Sequence, residues 1–241
     1  MKTYGTIKYS TVDAPQPIAG ICESFNYKSA DQIYEIMGEA DLEGVVFHGR
    51  KGDISFSSTP AGNVTALGVR AGVELTISGV TGGKILVMSS AAKWQRGQPM
   101  VMDAQANHYP DLGATASGTI TPATLTLARG TTIALQLPTG KVWFGVEGLT
   151  PVVDGIVQSC SVAESVQAQE EEDGEGKIVA VVLHSYKATA QMEVLTAGAI
   201  PDIGSELEAF GTFRVTSAEE KWSKGAQRSI MVDGILIPGI V

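Results

Sequence analysis

Lys93-Trp94-Gln95-Arg96-Gly97 returns as Lys221-Trp222-Ser223-Lys224-Gly225, 128 residues further along the chain. Tryptophan occurs three times in 241 residues, and two of the three share a preceding Lys and a following basic-Gly pair. Gly83 and Gly211 precede the two motifs at the same interval. Self-similarity at a fixed interval is the mark of a repeated structural unit. Working outward, His48, Lys51 and Gly62 recur as His184, Lys187 and Gly198, shifted by 136, and Gly20-Ile21 with Ser24 recur as Gly155-Ile156 with Ser159, shifted by 135. Order is kept, and the changing shift makes the second copy eight residues shorter between Gly198 and Gly211, a change that loops tolerate. The chain therefore reads as a first module in residues 1–112, matched from about residue 17, a second in 151–241, and a stretch at 113–150 with no counterpart.

Each module reads as strands. Ile18 to Tyr27 and Val152 to Val162 are extended openings, followed by an acidic turn and a second apolar strand, together a long hairpin. Ile178 to Leu183 is apolar at both parities, which predicts burial on both faces, whereas Ile54 with Phe56 and Met192 with Val194 alternate on one face. Val73, Leu75 and Ile77 alternate with polar residues, Lys84 to Met88 is a further strand, and Met100 to Ala106 and Ser229 to Leu236 close the two modules. Two segments carry helical signals. Ser29-Ala30-Asp31-Gln32 has the form of a capping box, with Ile33, Ile36 and Met37 at helical spacing, and Ser217-Ala218-Glu219-Glu220 can cap a short turn ended by Gly225. In 113–150, Leu125 and Leu127 face Ile133, Leu135 and Leu137 around Arg129-Gly130, as an accessory hairpin would. The expected class is all-β with minor α: two tandem β-barrel or sandwich modules with a β-hairpin insert.

Composition narrows the function. A formal charge of -9 without a Lys/Arg cluster argues against a surface that grips nucleic acid. The start, Met1-Lys2-Thr3-Tyr4-Gly5, leads into no apolar signal core, and the longest apolar run, Ile178 to Leu183, is too short for a membrane span, so intracellular synthesis is expected. Cys22 and Cys160 read as two small buried side chains in a reducing compartment, and the Asn63-Val64-Thr65 sequon as accidental.

Catalytic constellations are missing: there is no G-x-S-x-G elbow, H-E-x-x-H helix or spaced calcium loop. Gly82-Gly83-Lys84 lacks the first glycine and the Ser/Thr of a phosphate loop, because Ser78 and Ile85 stand there, and it reads as a β-turn. His48 with His184 and Trp94 with Trp222 fall in repeat-equivalent pairs, as shared packing positions would. Adjacent carboxylates at Glu170-Glu171-Glu172-Asp173 read as a solvated turn rather than a cation site. No enzyme, cofactor or metal is expected.

The order of elements resembles bacteriophage tail tube modules. Val153-Asp154-Gly155-Ile156-Val157-Gln158-Ser159, then Asp173-Gly174-Glu175 and Lys177-Ile178-Val179-Ala180-Val181-Val182, carries most of the likeness, and Tyr109-Pro110-Asp111-Leu112 adds to it in the first copy. It covers about three quarters of the chain. Related modules occur in contractile injection and type VI secretion tubes. The resemblance implies a structural virion protein whose rings stack into a tube around a channel, so that three two-module copies make a pseudo-hexameric ring. Phage DNA would pass without specific binding, and the other partners would be the tape measure, terminator and baseplate proteins, with no membrane. Assembly would occur in the host cytoplasm. Glu35, Glu39, Asp41 and Glu43, with Glu170, Glu171, Glu172, Asp173 and Glu175, would contact the next ring. A hub, distal or terminator ring is the neighbouring reading. A carbohydrate-binding or capsid-decorating sandwich, with Trp94 and Trp222 in contact, is the reading from another class.

Overall fold

A computed structural model describes residues 8–9, 12–13, 20–37, 42–60, 69–77, 79–95, 98, 101–113, 149–150, 156–196, 198–209 and 212–236. These residues form strands and no helix. The strands are β1 (Lys8–Tyr9), β2 (Val12–Asp13), β3 (Gly20–Met37), β4 (Leu42–Pro60), β5 (Glu74–Leu75), β6 (Lys84–Gln95) and β7 (Val101–Tyr109) in the first part of the chain. They continue as β8 (Leu149–Thr150), β9 (Ile156–Glu172), β10 (Ile178–Leu195), β11 (Glu206–Ala209), β12 (Thr212–Lys221) and β13 (Ser229–Leu236).

All but the β1–β2 pair join one antiparallel sheet, ordered β3-β4-β7-β6-β9-β10-β13-β12-β11-β8, with β5 also on β6. The two halves are thus not separate barrels or sandwiches. They are continuous through β6 on β9, which pair from Ser89↔Ser165 to Gln95↔Ser159.

Within each half the order is the same: β3-β4-β7-β6 with β5, and β9-β10-β13-β12 with β11. The registers agree residue by residue. Ile54↔Ala106 in β4–β7 becomes Ala190↔Gly234 in β10–β13, and Val87↔Ala106 becomes Val215↔Gly234. The bulge between Val87 and Ser89 returns between Val215 and Ser217, and the bulge from Ala30↔Lys51 to Gln32↔His48 returns from Ser165↔Lys187 to Gln167↔His184. A bulge inserts one residue and re-aims all that follow, so matching bulges are independent points of agreement. The intervals are 135 from β3 to β9, 136 from β4 to β10, and 128 from β6 and β7 to β12 and β13. β5 to β11 adds one of 132, where Gly72 N–H to Val87 O (2.8 Å) matches Gly204 N–H to Val215 O (2.8 Å).

The main core lies on one face of this sheet and draws on both halves: Ile54, Phe56, Val87, Met102, Val162, Ala190, Met192, Val194, Val215 and Val232 are buried together. Alternation makes this possible, since residues two apart share a face. Cys22 and Cys160 are both free and buried, and burial pushes the Cys160 thiol up to about 12. At Gly83 the backbone runs against Tyr109 O so closely that a Cβ would collide, at a φ of 62°, which suits a turn and not a phosphate loop.

Several expectations require correction. The capping-box segment 29–37 is strand, as is Ser217–Glu220, because cross-strand pairing overrides local helical preference. Only Gly225, with φ 86°, keeps its expected left-handed turn. Ile178–Leu183 is not buried on both faces: Val179 and Val182 are exposed while Ile178, Val181 and Leu183 are buried. The alternation over Val73–Ile77 yields only the two-residue β5. The hairpin expected around Arg129-Gly130 lies outside the described residues.

Candidate assembly interface

Opposite the core, the sheet presents a polar face of short side chains. Ser55 and Ser57 of β4, Asp103 and Gln105 of β7, Ser89 and Ala91 of β6, Ala163 and Ser165 of β9, and Lys187 and Thr189 of β10 line one shallow concavity. Gln191, Asp233 and Thr216 carry it on across the second half. Lys93 donates to Asp103 at 2.8 Å on this face. Burial opposes the charge on Asp103, but the hydrogen bonds from Lys93 and Ser57 outweigh it and hold the carboxyl below its ordinary range.

The two halves meet in a junction with three layers of contact. The first is the β6–β9 ladder itself. The second is a buried ion pair: Arg70 Nε–H donates to Glu164 Oε2 at 2.7 Å and Nη2–H to Oε1 at 2.5 Å. Tyr186 O–H donates to Oε1, and the Ser90 hydroxyl and Ala71 N–H complete the shell of Oε2 at 3.3 and 3.4 Å. Burial works against the Arg70 charge, but Glu164 more than offsets it and the guanidinium's pKa is raised. A buried carboxylate with this many donors is tolerated where a bare one would be very costly.

The third layer is the distal end of the β9–β10 hairpin, which lies on the first half. Ile178, Val181 and Leu183 form one buried cluster with Ala71, Leu86, Tyr109 and Leu112. At its rim Lys51 Nζ reaches Glu170 at 3.3 Å, Tyr109 O–H donates to Glu170 at 2.8 Å, and Gly49 N–H donates to Gly176 O at 2.8 Å. Gly49 needs its φ of 59° there, and a Cβ would meet Glu172 Oε1 at 2.9 Å.

The repeat-equivalent positions at the ends of the sheet have no such cover among the described residues. β12 is paired by β13 and, at its start, by β11, just as β6 is by β7 and β5. From Ser217 to Lys221, where β6 carries β9 on the edge opposite β7, β12 has no described strand on the edge opposite β13. Among the described residues β3 pairs only β4, so no described strand lies on its outer edge. Side chains follow suit. Val162 is 0% exposed and its counterpart Tyr27 40%; Leu183 is 7% and Phe47 60%; Ala71 is 0% and Ile203 66%. Trp222 is 75% exposed.

The residues singled out from sequence divide accordingly. Glu170 and Glu172 are drawn into the junction, by Lys51 and by His48 Nδ1 at 3.3 Å. Glu171 near the end of β9 and Asp173 and Glu175 on the turn stay exposed, and Asp173 accepts backbone N–H bonds from Lys177 and Glu175 at 2.9 Å each; those bonds hold its pKa below the ordinary range. Glu35 and Glu43 are exposed on β3 and β4, while Glu39 and Asp41 lie outside the described residues. His184 is exposed beside Ser185 Oγ at 2.8 Å, and Trp222 is no packing anchor within the chain. The Trp94 backbone pairs with Cys160, and its side chain lies outside the described residues.

Sequence reading passed over Arg70, Glu164, Tyr186 and His108. His108 is buried, with Nε2 facing Gly82 O at 2.8 Å, so that Nδ1 accepts from Tyr27 O–H at 3.0 Å. The signal for Glu164 was weak but present: a carboxylate at a core parity of β9 between Val162 and Val166.

Among the described residues no group of three or more His, Cys, Asp or Glu is placed to hold a metal ion. No protein-family model matches the chain, and no curated protein matches it.

Proposed function

We propose that this chain is a structural subunit of a phage tail tube, built by duplication of one tail-tube-like module, in which three copies close a pseudo-hexameric ring and the rings stack around a DNA-conducting channel. The observation that carries the reading is the agreement of register, bulges and strand order between residues 20–109 and 156–236. A chain whose halves are this alike, joined edge to edge, presents the same two edges again at its ends. Closing them on neighbours removes the aggregation hazard of an open sheet.

The polar concavity suits a channel wall, since short Ser, Thr, Ala and Gln side chains offer DNA neither a cationic grip nor an apolar surface. The acids there, Asp53, Asp103, Glu193, Glu219 and Asp233, nearly balance Lys28, Lys93, Lys187 and Lys221, so the wall resists phosphate less strongly than the overall charge implies. Exposed Glu171, Asp173 and Glu175, with Glu35 and Glu43, remain the described candidates for contacts beyond one chain. A hub, distal or terminator ring of the same tail uses the same subunit at lower copy number.

Native mass measurement tests the reading. Trimers, or stacks in multiples of three, support it, and a strict monomer at high concentration overturns it. One observation favours a second reading, a carbohydrate-binding or capsid-decorating protein: the exposed Trp222. Glycan-dependent quenching of Trp222 fluorescence in a protein that does not self-associate would select that reading instead.

A further inference from the structure

The junction between the halves is a worked example of how one half receives another, and both partners of that contact exist again at the open ends. We infer that β12 of one copy adds to β3 of a second copy of this chain in the register by which β6 adds to β9. This rests on the self-assembly reading above and names its interface. The equivalences convert Ala91↔Ala163 into Glu219↔Lys28, and Trp94↔Cys160 into Trp222↔Phe25. The first is a cross-strand pair of opposite charge. The second brings the most exposed large apolar side chain against a partly buried aromatic one.

The other layers translate as well. Lys51 with Glu170 becomes Lys187 with Glu35, charge for charge. Arg70 against Tyr186 becomes Asp202 against Arg50, an ion pair where the internal junction has a cation and a phenol. Ala71 among Ile178, Val181 and Leu183 becomes Ile203 among Leu42, Val45 and Phe47. These four are exposed apolar residues on the isolated chain, split between its two ends, and the mapping brings them together. Such patches mark interaction surfaces.

A backbone feature points the same way. Ser185 is the one non-glycine with positive φ among the described residues, at 55°, and it holds the place of Gly49, at 59°, whose N–H docks the neighbouring turn. A β-substituted residue kept in that conformation reflects a constraint beyond local preference. The contact is heterologous, the β12 edge of one copy on the β3 edge of the next, so it propagates head to tail and closes into a ring when the rotation permits.

The test places cysteines at Glu219 and Lys28 of the full chain and compares oxidation with an off-register pair at Glu219 and Asn26. Directly opposed strand residues meet the Cα spacing of a disulfide, and positions two residues off do not. Intermolecular crosslinking of the first pair into a ladder ending at the ring, with little from the second, is expected. Assembly without crosslinking, or equal crosslinking of both pairs, overturns this register and leaves the ring reading standing. A chain that stays monomeric overturns both. As an independent arm, Lys187→Glu lowers association by about tenfold or more, as like charges at an interface do, and Glu35→Lys restores it; failure of the double variant to recover contradicts the pairing.

Discussion

Leu183 and Phe47 occupy the same place in two hairpins of the same design, yet the first is covered by the other half of the chain and the second faces solvent. The same contrast separates Val162 from Tyr27 and Ala71 from Ile203. If the open positions were adapted to water, polar residues would stand there; they carry side chains at least as large and apolar as their buried counterparts. In the proposed ring the difference between the regions is one of occupancy, with the missing surface supplied by the next copy. Charge follows the same rule, since Lys51 and Glu170 meet inside one chain, while Lys187 on β10 and Glu35 on the outermost strand β3 stand five strands apart in the sheet order.

Matched substitutions in the covered and the open region should have very different effects. Glu164→Ala leaves Arg70 buried without its carboxylate partner, which should lower unfolding free energy by about 3–5 kcal/mol. Ser29→Ala at the equivalent open position should stay within about 0.5 kcal/mol. Denaturant titration of the two variants as dilute monomers measures the gap, and equal effects would mean that the regions are not related as described.

Next in size is the hairpin pair. Leu183→Ala should cost about 2–5 kcal/mol through the cavity it leaves, and Phe47→Ala less than about 0.5 kcal/mol in the monomer. Phe47→Ala should instead weaken assembly, by about tenfold, as loss of a buried aromatic anchor does; denaturant titration of dilute monomers reads the stabilities and sedimentation velocity the association.

A smaller effect concerns Trp222, whose fluorescence should be quenched readily by acrylamide in dilute protein and protected on assembly, with Trp222→Phe removing the change. Quenching that stays the same at every concentration would separate Trp222 from the contact.

The smallest is pH dependence. Burial and the hydrogen bond to Glu164 raise the Tyr186 phenol from 10.0 to about 12. The protonated phenol is the form the fold favours, so its contribution is complete below about pH 10 and is lost as pH rises through about 12. Stability measured over that window should fall in wild type and fall less in Tyr186→Phe.

Much of this was legible in the chain before its structure. The shifts of 135, 136 and 128 recur in the registers because strand pairing counts residues, and a conserved count leaves conserved spacing. Ser229–Leu236 coincides with β13 for the same reason that Met192 and Val194 face the core: period-two alternation is hard to mistake. The helical signals at 29–37 misled because capping and spacing are local, while eighteen residues of β3 are committed by pairing to β4. The Arg70–Glu164 pair is hidden in the sequence because its members lie far apart, and the one signal, a carboxylate at a core position of β9, names no partner. The repeat makes Trp222 look like a packing residue, because no periodicity distinguishes a side chain packed within a chain from one exposed at its end.

A reconstruction of the assembled protein by electron cryomicroscopy would show which strand lies beside each open edge. Three copies in a closed ring, with β12 of each beside β3 of the next and Glu219 opposite Lys28, is the predicted result. An assembly in which β3 pairs with β3 about a two-fold axis, or in which both edges remain open, would contradict it.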